Sequence, residues 1–222
     1  MSPPRTLLLA LALLAAGCAG AGHAARGKPL PPPAQDRAGF RNPDAGPAPG
    51  SASARRSVQA RAVPHDQAVH RAVEAADSLV GSREVVLDGV RYGDGCAAVA
   101  RAALSKGGAP LPAGADRPAS ILELARARGA FRRAHPAAGD LVFLADRPGG
   151  PAEHVGVVES VSPEGTALVV HRTERGVARL HLNPAHAWKT RAESGRALND
   201  LVVVGGGKVT AGRLVVGFAT LL

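Results

Sequence analysis

From residue 66 onward the apolar positions fall first into a helical period and then into a strand period. "DQAVHRAVEAADSLVG" sets Ala68, Val69, Ala72, Val73, Ala76, Leu79 and Val80 along one side, with Gly81 as a stop, and predicts a first helix. In "REVVLDGVRY" an Asp88-Gly89 pair separates two short β-prone runs, which predicts a small hairpin. Asp94 or Gly95 is then placed to cap a helix running to Gly107-Gly108, with Val99, Ala102, Ala103 and Leu104 on its apolar side and Cys96 in its first turn. "SILELARARG" carries a capping-box pattern, Ser120 with Glu123, and ends at Gly129, so a short surface helix is expected. After Gly139 the period changes. "DLVFLA", "HVGVVESV", "ALVVHR" and "VARLHL" are Val-rich and separated by Pro, Gly and charged residues, the pattern of an antiparallel meander. "GGG" at 205–207 reads as a turn, and "RLVVGFATLL" as a closing helix or strand. Helices followed by consecutive strands indicate an α+β domain over 66–222.

The first 65 residues follow neither period. "MSPPRTLLLALALLAAGC" has a basic start, an apolar run over 7–16 and small residues ending at Cys18, the tripartite design of a secretory signal and too short to span a bilayer. Its end, "LAAGC", resembles a bacterial lipobox, in which the leader is cut before the cysteine and the cysteine is lipidated. Residues 1–18 are thus expected to be a lipoprotein signal with Cys18 as the lipidation site, or an ordinary signal cut nearby; both readings export the mature chain. Residues 19–65 are rich in Ala, Gly, Pro, Ser and Arg and hold almost no large apolar side chain, the composition of a disordered linker. Its mean reach would be on the order of 40 Å.

Charge separates the same two regions. The chain carries +9, yet 66–222 holds 19 basic and 16 acidic residues, while 1–65 holds 8 basic and 2 acidic. The excess belongs to the tether, where it suits anionic lipid or wall polymer. Aromatics make up 3% of the chain, and no basic run is interleaved with them, so a nucleic-acid groove is not expected. The expected setting is a membrane-anchored monomer on the outer membrane, facing the periplasm or the cell surface.

Export changes the meaning of the cysteines. Once Cys18 is lipidated or removed, Cys96 has no partner in its own chain and is a free thiol in an oxidising place. It can be buried as a small hydrophobe, or it can react. At a helix start, backbone N–H groups and the helix dipole favour the thiolate, the nucleophilic form. A base must then come from elsewhere, and the sequence offers His154 and His171. If 155–161 and 166–171 form a hairpin with a two- or four-residue loop, opposed positions sum to 327 and His171 faces Gly156. His154 and His171 then lie diagonally on one face, roughly 7 Å apart at the backbone. A loop of odd length would send them to opposite faces. The resulting site has Cys96 as nucleophile, His154 as base and His171 orienting that base through its far ring nitrogen. His181 and His186 are separated by Asn183-Pro184, so they share no helical face; no metal and no cofactor are expected.

"DGCAAVARAALSKGGAPLP", "PAAGDLVFL" and "EHVGVVESVSPEGTALVVHRTERGVARLHLN" are similar, in that order, to the CHAP and NlpC-type cell-wall cysteine peptidases and amidases. The resemblance covers about 80–183, with "LND" at 198–200 a further stretch. It implies a papain-like α+β fold in which a helix bearing the cysteine packs on an antiparallel sheet bearing the histidine. It matches Cys96 to the nucleophile, His154 to the general base and His171 to the third polar residue, with Tyr92 and Asp94 at substrate-binding positions. It also implies peptidoglycan as substrate, cut at an amide within the stem peptide or where the peptide joins muramic acid. Where the family reads Asp-Cys-Ser-Gly, this chain reads Gly95-Cys96-Ala97-Ala98. That departure opens two alternatives: a wall-binding protein that has kept the fold without turnover, and an acyltransferase using the same site.

Overall fold

The computed structural model describes residues 64–222. The signal, Cys18 and nearly all of the linker lie outside the described residues. Helix α1 (His65–Ser78) forms where the periodicity places it and buries Ala68, Ala72, Ala75 and Ala76. Its contact stripe is almost wholly alanine, so α2 (Ala98–Gly107), itself lined by Ala98, Ala102 and Ala103, packs closely against it. At Gly107 a Cβ would stand 3.1 Å from the backbone oxygen of Ala68, so the two helices meet there because the side chain is missing. Gly108, at φ 90°, closes α2 in the left-handed conformation.

Between the helices β1 (Val86–Leu87) and β2 (Val90–Arg91) pair antiparallel around Asp88 (φ 48°) and Gly89 (φ 76°), a turn whose two central residues both need positive φ. Helix α3 (Pro118–Ala127) corrects one expectation. It begins three residues earlier than the capping box would have it, with Arg117 at the N-cap and Pro118 in the first helical position. Proline's fixed φ starts the helix there, which leaves Ser120 and Glu123 inside it. The helix also buries Pro118, Ile121, Leu122 and Ala125, so one side of it belongs to the core.

The strand region is one antiparallel sheet of six strands in the order β3-β10-β4-β5-β6-β7. Strands β4 (Leu141–Leu144), β5 (His154–Val161), β6 (Ala167–Thr173) and β7 (Gly176–Leu182) are the expected meander. The undecided tail proves to be a 3-10 turn (Ala211–Leu214) followed by strand β10 (Val215–Ala219), which inserts between β4 and β3 (Phe131–Arg132). A separate hairpin, β8 (Leu201–Val204) with β9 (Gly207–Thr210), turns at Gly205-Gly206. The sheet separates two apolar layers. Leu141, Phe143, Val155, Val157, Val170 and Val177 face the helices. Val142, Leu144, Val158, Val169, Leu180 and Phe218 pack on the opposite face. The fold is α+β, with α2, the helix that follows Cys96, packed on one face of an antiparallel sheet.

The β5–β6 register agrees with the expected sum of 327 at its functional end, where Gly156 faces His171, Val157 faces Val170 and Val158 faces Val169. The connection itself does not match. It runs over 162–166, an odd number of residues, and an irregularity between Val158 and Ser160 restores the pairing. Without that extra residue in β5 the two histidines would sit on opposite faces.

Asp140 ties the start of β4 to the end of β10. It is 1% exposed, forms an ion pair with Arg132, and accepts hydrogen bonds from the Ala137 N–H (2.6 Å) and the Thr220 hydroxyl (2.7 Å). Arg132 donates in turn to Thr220 Oγ1 (2.8 Å) and the His135 carbonyl (3.0 Å). Such a network is costly to open at its buried member, because removing the Asp140 carboxylate takes an acceptor from Arg132, Thr220 and the Ala137 N–H at once. The variant Asp140→Ala is therefore expected to lose about 3 kcal/mol of unfolding free energy, read from urea denaturation; a loss below about 1 kcal/mol would show that water replaces the carboxylate.

Candidate active site

Cys96 lies in the turn that leads into α2, not inside its first helical turn. The Ala98 N–H donates to the Gly95 carbonyl at 3.0 Å, Ala97 is the N-cap, and no side chain caps the helix. Asp94, expected as one of two possible caps, instead pairs with Arg91 at 3.0 Å. The thiol thus stands just outside the positive end of the helix, half-buried and free of any disulfide. Its Sγ donates to the Glu153 carbonyl at 3.3 Å, one residue before His154. Among the described residues no hydrogen bond joins Cys96 to the His154 ring. The sulfur rests on the Glu153 carbonyl, one residue before the histidine strand begins.

His154 opens β5 and pairs with Leu144 of β4. Its side chain points to the face that Leu144 and His171 share, so the two histidines occupy one side of the sheet. Gly156 makes this possible. A Cβ there would stand 2.5 Å from Val169 Cγ1 and 3.1 Å from His171 Cβ, so any side chain would displace the strand beside it. Hydrogen bonding departs from expectation, however. His154 Nε2 lies 2.7 Å from Asp146 Oδ1, so the partner of the far ring nitrogen is Asp146 and not His171. The sequence reading missed this residue. Its one signal was position, since Asp146 follows Leu144, the strand partner of His154, by two residues.

His171 differs from His154 in its surroundings. Burial, and secondarily the nearby His154, pushes its pKa down from 6.5 to about 4, so the ring is neutral over the physiological range. His154, His171 and Asp146, but not Cys96, line a cleft of about 950 Å³ whose far wall is β8, with Val203 exposed at the lip. Asn199 pins the base of that wall. Its Oδ1 accepts the N–H groups of Asn183 and Gly212 at 2.7 Å each, and its amide donates to the His186 and Lys189 carbonyls.

Tyr92 and Asp94 sit elsewhere. The Tyr92 hydroxyl donates to Ser105 Oγ at 3.2 Å on α2, its ring packs on the helical core, and neither residue lines the cleft. His181 bonds Asp200 (3.2 Å from Nδ1), whereas the His186 N–H goes to Asn183 Oδ1. Among the described residues no group of three His, Cys, Asp or Glu side chains is placed to hold a metal.

The lowered pKa of His171 has a consequence for stability. A folded value near 4 against 6.5 unfolded means that the unfolded chain takes up a proton in this window and the folded chain does not. This contribution is complete above pH 6.5 and is lost as pH falls through about 4. In His171→Gln it is expected to vanish, removing on the order of 3 kcal/mol from the difference in urea-unfolding free energy between neutral and acid conditions. An unchanged pH slope in the variant would place the titrating group elsewhere.

No curated protein matches the chain. Among solved structures, the crystal structure of Ly7917 is similar, with 19% identity, 69% of this chain and 62% of that one covered, and a TM-score of 0.41. The crystal structure of Ly7917 with the hydrolyzing product of MDP matches at 17% identity with the same coverage and a TM-score of 0.39. The chain thus spans less than two thirds of the length of these structures. Residues 86–173, a stretch that begins at β1, ends with β6 and contains Cys96, Asp146, His154 and His171, match the family model of the CHAP domain.

Proposed function

We propose that this protein is a peptidoglycan hydrolase of the cysteine type, with Cys96 as nucleophile and His154 as general acid and base. The observation that carries the reading is the placement of the Cys96 thiol, at the entry of α2 and 3.3 Å from the carbonyl next to His154. The CHAP-domain match over 86–173 supports peptidoglycan as the substrate.

In the first step the Cys96 proton passes to His154 and the thiolate adds to an amide carbonyl carbon of the stem peptide, or of its junction with muramic acid. The imidazolium returns that proton to the amide nitrogen, the C–N bond breaks, and a thioester remains on Cys96. Water then loses a proton to His154 and attacks the thioester, releasing a carboxylic acid and restoring the thiol. Each step uses groups of this chain and water, with no cofactor. Lipidation at Cys18 and the basic tether would hold the domain at a membrane surface within reach of the wall, as a monomer on the outer membrane.

A second reading, a wall-binding protein without turnover, has one observation in its favour: the thiol bonds a backbone carbonyl and not the His154 ring. Incubation of the purified protein with isolated peptidoglycan, followed by mass spectrometry of the soluble fraction, separates the two. Wild type is expected to release peptide fragments and Cys96→Ala to release none while remaining folded. Fragments released equally by both would remove Cys96 from the chemistry. Co-sedimentation of both with the wall, and release by neither, would establish the binding protein.

A further inference from the structure

The far nitrogen of His154 is engaged by a residue that the order of motifs along the chain does not single out. We propose that Asp146 is the positioning residue of the site, accepting the Nε2–H of His154 and so fixing the tautomer that leaves Nδ1 as the base for Cys96. This rests on the reading of Cys96 and His154 as nucleophile and base.

An ionised carboxylate has no proton to give, so a 2.7 Å contact between Nε2 and Asp146 Oδ1 places the hydrogen on Nε2. Neutral imidazole carries one ring proton, so Nδ1 holds the free lone pair. The backbone keeps the two residues in register. Leu144 and His154 are strand partners, the Glu153 N–H donates to the Leu144 carbonyl at 2.9 Å, and the Ala145 N–H donates to the Leu214 carbonyl at 2.8 Å. Asp146 therefore leaves a strand end that is anchored on both sides, directly beside the ring it holds.

Charge separates the two candidates for this role. When the Cys96 proton moves to Nδ1, His154 becomes an imidazolium between a thiolate and a carboxylate, and Asp146 supplies a full negative charge to it. His171 is neutral and faces the same ring across Gly156, so it can offer a polar surface but no counter-charge. Both members of the Asp146–His154 pair are solvent-exposed, at 65% and 44% of their side chains. The loss on removing the carboxylate is therefore expected near tenfold, well below that of a buried triad.

The test measures two quantities on the full chain: the rate of Cys96 alkylation by iodoacetamide, and kcat and KM for release of fragments from peptidoglycan. Asp146→Ala should lower the alkylation rate and kcat about tenfold and leave KM within about twofold. Asp146→Asn, whose amide oxygen accepts the same N–H, should recover about threefold of that loss. Merely structural damage would raise KM and lower the thermal midpoint together and would not be rescued by the amide. His171→Ala should cost less than Asp146→Ala in both quantities. Rates for Asp146→Ala within about twofold of wild type, or a larger loss in His171→Ala, would overturn the assignment. Alkylation needs no wall substrate. Asp146-dependent alkylation in a protein that releases no fragments would retain the positioning role and dismiss the hydrolase, whereas release that Asp146→Ala leaves intact would do the reverse.

Discussion

Gly156 lies where the sheet admits no side chain, and the arrangement of the histidines depends on that absence. A methyl group there would meet Val169 at a distance real Cβ atoms essentially never show and would crowd the Cβ of His171. With hydrogen alone at Cα, β5 and β6 stay at full pairing distance beside two bulky rings, and His154 and His171 can share one face on either side of a gap. His171, whose pKa burial and the neighbouring His154 lower, lines the cleft beside this approach. Distant structure maintains the same register. The irregularity between Val158 and Ser160 absorbs the odd residue of the following loop, so an error at the turn does not propagate to the histidines.

The elements legible in the sequence are those whose signal is local. The Asp88-Gly89 hairpin depends on two positive-φ residues in succession, and Gly108 on a left-handed helix end, so each could be read within a few residues. Strands β4 to β7 read as short Val- and Leu-rich runs because the sheet has an apolar layer on each face. What was not legible depends on contacts made far along the chain. The tail could be helix or strand until β4 and β3 were seen to accept it on their free edges. The start of α3 misled because two N-terminal signals compete there: the Ser120–Glu123 pattern is real as a pattern, but Pro118 already satisfies the first-turn requirement upstream.

The candidate site divides in the same way. That His154 and His171 share a face is a matter of strand parity and could be worked out by counting. That His154 bonds Asp146 depends on the path of the loop after β4, where Asp146 lies on no periodic element and its neighbours Arg147 and Pro148 give no reason to prefer it. The position of Cys96 was close but not correct, since Ala97 takes the N-cap and Asp94 is drawn to Arg91. A short acidic side chain next to an arginine three residues away has two ways to satisfy its charge, and the ion pair prevailed over the cap.

Two constraints therefore converge on His154 from different directions. The sheet fixes where its Cα lies, through Leu144 on one side and the Gly156–His171 pairing on the other. The Asp146 carboxylate then selects among the orientations that the sheet leaves open, because a half-exposed ring at a strand end has freedom about both side-chain torsions. Neither constraint alone defines a base. Strand register without a hydrogen-bond partner would leave the ring nitrogens interchangeable, and a carboxylate without register would hold a ring at no fixed distance from the thiol. Because Cys96 rests on the Glu153 carbonyl, part of the same backbone that carries His154, any shift of β5 moves acceptor and base together. A hydrogen bond between thiol and imidazole, which the described residues do not show, would then have to come from rotation of the two side chains.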